Sequence, residues 1–67
     1  MIEDYITDTL EEYGPLYVLD LVLGVREGLA CRADDVEDAI IHLESQGKVR
    51  GYIEEATGYP RIELVKE

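Results

Sequence analysis

The chain has 67 residues, one cysteine and a formal charge of −10 at pH 7, from sixteen Asp and Glu against six Lys and Arg. A single domain of this size buries only about 60% of the surface its unfolded chain exposes, and one Cys excludes an intrachain disulfide to reinforce so small a core. The lone Cys and the lack of a signal peptide give the reducing cytoplasm as the expected compartment. The apolar run 16–25, broken by Asp20 and Gly24, falls far short of the ~20 residues that cross a bilayer, so no membrane span is expected.

Ile2, Tyr5, Ile6, Thr9, Leu10 and Tyr13 recur at helical spacing. They predict an amphipathic helix over 2–13 whose stripe, both tyrosines included, faces a core. Glu3, Asp4, Asp8, Glu11 and Glu12 take its other side, and Gly14-Pro15 ends it. Leu16-Tyr17 reads as a very short extended piece, in which Tyr17 has no assigned place. A second helix over 18–28 is apolar over most of its girth, with Val18, Val22, Val25 and Leu29 on one broad face and Leu23 beside Asp20 and Glu27. Two readings of Leu23 stand: burial under the hairpin or the first helix, and exposure as a partner or self-association surface. Gly24 weakens the helix and permits close packing. Residues 28–32 form a Gly-containing turn, in which Cys31 is a small core or turn residue rather than a reactive thiol.

The third helix, over 34–46, has the best-marked ends. Asp34 is positioned to cap it and Glu37 to reach back as a capping box; Val36, Ala39, Ile40 and Leu43 form its apolar stripe; Gly47 supplies a left-handed stop. Its solvent side carries Asp35, Glu37, Asp38 and Glu44, with Ile41, His42 and Ser45 further along. His42 lies four residues after Asp38, within reach of a local ion pair. Beyond Gly47 the period becomes alternating and predicts a hairpin over 49–65. Val49, Gly51 and Ile53 face one way, with Arg50, Tyr52 and Glu54 the other. A two-residue Thr57-Gly58 loop sets Ile53 opposite Ile62, Glu54 opposite Arg61 and Tyr52 opposite Glu63.

Charge divides the chain. Residues 1–47 hold twelve acids against Arg26 and Arg32, a net of −10, whereas residues 48–67 are neutral. Such a field repels nucleic acid and draws in basic partners. Adaptation to high internal salt is a second origin for the same composition, and screening would then shorten the field. No catalytic constellation is visible. His42 is the one histidine, the Glu11-Glu12 and Glu54-Glu55 pairs read as solvated surface, and Gly24-x-x-x-Gly28 lacks the Lys of a phosphate loop. Neither an enzyme nor a metal or other cofactor is expected.

The run Val36-x-x-Ala39-Ile40-x-x-Leu43-Glu44-x-x-Gly47-x-Val49, followed by Arg50 and Tyr52, resembles a stretch common to winged-helix transcription regulators of the multiple-antibiotic-resistance and arsenic-repressor kinds. Helix, short extended piece, helix, turn, helix and hairpin is also their order, so the resemblance covers nearly the whole chain. It implies an α+β fold: a three-helix winged helix-turn-helix with a C-terminal two-stranded β-hairpin wing. Many such proteins place the third helix in the DNA major groove and the wing beside it. Where they commonly offer Ser, Thr, Arg or Gln to DNA, this chain has Glu37 and Asp38. The first expectation is therefore a basic or amphipathic protein partner, met by Asp35, Glu37, Asp38, Ile41, His42 and Ser45, with Leu23. The alternative is duplex DNA gripped by the wing through Lys48, Arg50, Tyr59, Arg61 and Lys66, in a homodimer so that two weak footprints add.

Overall fold

The computed structural model describes residues 1–66, which form an α+β fold of three helices and a three-stranded antiparallel sheet. Helix α1 spans Ile2–Tyr13 and stops at Gly14, whose N–H still donates to the Leu10 carbonyl (2.9 Å) while its φ of +76° turns the chain away. Strand β1, Leu16–Tyr17, leads directly into α2, Val18–Leu29, and Ala30 closes that helix in the left-handed region at φ +52°. The helix thus runs one residue past the expected end at Gly28, so Gly28 and Leu29 both lie in α2 and the turn is shorter than expected.

Helix α3 spans Ala33–Ser45. Its start corrects the expected capping box. Arg32 occupies the cap position, and among the described residues no side chain hydrogen-bonds to the first turn. Asp34 and Asp35 lie inside that turn, where they act on the helix dipole instead. The stop agrees with the Gly47 signal. Gly47, at φ +72°, donates to the Glu44 carbonyl (2.9 Å) and Lys48 to that of Leu43 (3.0 Å), a Schellman closure that sends Val49 straight into the core.

Strand β2, Val49–Ile53, pairs with β3, Pro60–Leu64, and β3 is central because β1 takes its other edge. The sheet therefore has one strand more than the hairpin expected. Leu16 opposite Ile62 and Tyr17 opposite Arg61 cover an edge that would otherwise be open. The hairpin register also differs from expectation by two residues: Gly51 faces Ile62, Tyr52 faces Arg61 and Arg50 faces Glu63. Its loop is longer than Thr57-Gly58 alone, since Glu54 N–H still donates to the Tyr59 carbonyl (2.9 Å) and Gly58 N–H closes back on Glu54 (2.7 Å). A shift of two keeps every side chain on its face. The core row nonetheless ends at Gly51 and Ile62; Ile53, the expected partner of Ile62, is 65% exposed.

The core joins all three helices to the sheet. Ile6 and Leu10 of α1, Leu21, Val22 and Val25 of α2, Val36, Ala39, Ile40 and Leu43 of α3, and Val49 and Ile62 are buried together. Each Val, Leu or Ile among them contributes about 1.5–3 kcal/mol on burial, so loss of one is a large fraction of what a domain this small can hold in reserve. Neither expected tyrosine of the α1 stripe is among them: Tyr5 is 37% exposed and Tyr13 67%, so both lie outside the core that Ile6 and Leu10 enter.

Candidate functional site

On α3, the buried stripe leaves an opposite face centred on Asp34, Asp38, Ile41 and Ser45, with Glu37 and Glu44 on one flank and Asp35 and His42 on the other. All of these are exposed, and Ile41 is 63% so. The helix thus gathers the expected Asp35, Glu37, Asp38, Ile41, His42 and Ser45 on one surface: an apolar side chain in a ring of carboxylates. His42 does not pair with Asp38. Its Nδ1 lies 2.6 Å from Glu3 Oε2, because α1 packs along that flank and brings Glu3 closer than the helix's own preceding turn. Ser45 Oγ donates back to the His42 carbonyl (2.7 Å), a bond local to the helix end. Leu23 lies on α2, apart from this surface, and is 45% exposed; burial under the hairpin or α1 does not occur.

The hairpin residues expected to grip DNA separate into two groups. Lys48, Arg50 and Lys66 lie at the α3 end of the hairpin. Arg50 pairs with Glu63 directly across the strands, and Arg50 and Lys66 share a recess with Glu11 and Glu63. Acids therefore stand among these cations. Tyr59 and Arg61 belong to a cluster that the sequence did not disclose. Arg61 pairs with Glu54, donates to the Pro15 carbonyl (2.7 Å) and lies 4.8 Å over the Tyr17 ring. Tyr17 donates to Glu54 (2.5 Å), Thr57 donates to the same carboxylate (3.0 Å), and Tyr59 meets Tyr17 edge-on at 6.3 Å. The Glu54 carboxyl is held below its ordinary range, chiefly by the Tyr17 hydrogen bond and then by that from Arg61; Arg61 is in turn pushed up by its hydrogen bond to Glu54. This arrangement ties β1 and the α1–β1 turn to the hairpin. With its side chain only 24% exposed, Arg61 is a fastener more than a contact for a phosphate backbone.

The sequence signal for the cluster was faint. An Arg and a Glu on the outer face of one hairpin were visible as cross-strand partners, but Tyr17, 37 residues from Glu54, enters only through the third strand. Among the described residues no three His, Cys, Asp or Glu side chains converge to hold a metal ion, and no helix is long and apolar enough to cross a membrane. Cys31 is half-buried with its Sγ 3.9 Å from the Val25 carbonyl. Compared with known proteins, the chain matches no family model, no curated protein and no solved structure.

Proposed function

We propose that the chain is a non-catalytic binding module on a winged helix-turn-helix frame, of the transcription- or replication-regulator type, whose acidic third helix engages a basic or amphipathic protein partner. The order α1-β1-α2-α3-β2-β3 supports the frame. One observation carries the function: the solvent face of α3 presents Asp34, Glu37, Asp38 and Ile41 together, all exposed. Carboxylates there meet DNA phosphates with repulsion at each contact, whereas a cationic protein surface finds both charge and an apolar centre. The wing-mediated DNA reading is the weaker one, because Arg61 is engaged by Glu54, Pro15 and Tyr17 and Arg50 by Glu63.

Neutralising the face tests the reading. The double variant Glu37→Gln with Asp38→Asn is expected to weaken binding of a lysine-rich peptide that carries no apolar face by about tenfold at low salt, which corresponds to ~1.4 kcal/mol. Unchanged affinity in isothermal titration, with the fold intact by circular dichroism, would remove α3 from the interface.

A further inference from the structure

We propose that the groove between α1 and α2 is the anchoring site for a cationic amphipathic helix of the partner protein; this rests on the reading of a cationic partner and names where its apolar side chains go. Leu16, Tyr5 and Tyr13 give the groove its accessible apolar surface, and the core residues Leu21 and Val25 close its floor. Gly24 leaves a gap in its α2 wall, since nothing lies within 4 Å of where a Cβ would stand. Asp8 and Glu12, one helical turn apart on α1, and Asp20 on α2 put carboxylates on both sides of this apolar strip. On α1 these residues lie away from Glu3, which faces α3 through His42, so the groove and the acidic face of α3 are separate surfaces.

Charge selects the occupant. A nucleic acid would bring phosphates against three carboxylates. A second copy docked groove against groove would set Asp8, Glu12 and Asp20 against their own counterparts. A helix with apolar residues at i, i+3, i+4 and i+7 fits an open apolar strip, and Lys or Arg beside them reaches the acids along it. Tyr13, 67% exposed, gains a cover that its own chain does not supply.

The test is a titration of the ¹⁵N-labelled chain with a synthetic amphipathic peptide of about 14 residues, leucine on one face and lysine on the other. Amide shifts are expected at Tyr5, Thr9, Tyr13, Leu16 and Gly24. Gly24→Leu fills the gap with a better helix former, so the chain keeps its fold and its thermal midpoint does not fall, while affinity drops by about tenfold or more. Asp8→Asn with Glu12→Gln lowers affinity and flattens its salt dependence. Shifts confined to α3, or a Gly24→Leu chain that binds as well as the original, would overturn the groove and leave the cationic-partner reading standing. Absence of peptide binding at low salt would overturn both, and a groove filled by a second copy at sedimenting concentrations would overturn the proposed occupant.

Discussion

Gly24 and Gly28 sit one turn apart on α2, yet their surroundings differ. Gly24 faces open space, whereas a Cβ on Gly28 would collide with the Tyr5 hydroxyl and ring. The close approach expected at Gly24 is therefore made at Gly28, where the missing side chain lets Tyr5 lie on α2. Gly24→Ala should stabilise the fold by about 0.8–1 kcal/mol through helix propensity alone. Gly28→Ala has the same propensity gain but must swing the partly exposed end of the Tyr5 side chain aside, which costs about 1 kcal/mol, the low end of the overpacking range. Urea unfolding should therefore place Gly28→Ala below Gly24→Ala by about that 1 kcal/mol; equal midpoints would mean that the Tyr5 contact carries no weight. At the same scale, Glu54 gives the fold a pH dependence. Its carboxyl titrates lower in the folded chain than in the unfolded one, first because of Tyr17 and then Arg61. Its stabilising effect is thus complete above the ordinary carboxylate range, near about pH 4, and is lost as pH falls through the lowered folded value. Arg61, pushed up from an already high value, stays protonated in both states and adds no window of its own in this range. The stability gap between the native chain and Glu54→Gln should be widest at neutral pH and should close on acidification. A gap that is constant from about pH 7 down to pH 2 would show that the Glu54 proton is not linked to folding.

Among the elements, the helices were legible because their apolar residues recur with a 3.6-residue period and Gly14 and Gly47 mark two of the stops. What was not legible followed from geometry that crosses the sequence. Asp34 looked like a cap because Ser, Thr, Asp and Asn dominate such positions, but α3 begins at Ala33 and Arg32 holds the cap with β-region dihedrals, φ −89° and ψ 153°. Arg32→Ser should therefore supply a missing acceptor to the first-turn N–H groups and raise stability by about 1 kcal/mol, read from the urea midpoint. A fall would indicate that Arg32 has a structural partner that matters more. The hairpin faces were legible from alternation, whereas the register was not, since a Thr-Gly pair fits both a two-residue loop and the longer one present. Leu16-Tyr17 signalled an extended piece but not its partner, and without that pairing the Tyr17–Glu54–Arg61 cluster could not be inferred. The α3 face was legible from its helical wheel. The α1–α2 groove was not, because Tyr5 and Tyr13 share the stripe of Ile6 and Leu10 and nothing local tells which members of a stripe stay uncovered.

For the whole molecule, the net charge of −10 is the dominant long-range term. Twelve acids crowd the first 47 residues, so self-repulsion opposes the compact state and salt relieves it. The thermal midpoint should rise steadily as NaCl increases from about 0.01 M, where the Debye length is about 30 Å, to 1 M, where it is about 3 Å. A flat profile would mean that the fold already compensates its charges. The same field bears on recognition. A DNA-reading third helix would have to overcome it at the point of closest approach, while a cationic protein would be steered by it. The most direct test is an amide-shift titration of the ¹⁵N-labelled chain with duplex DNA at low salt, where any phosphate contact is strongest. The α3 amides from Asp34 to Ser45 are expected to stay in place. Saturable shifts centred on Asp38, Ile41 and Ser45 would contradict the assignment of α3 to a protein partner.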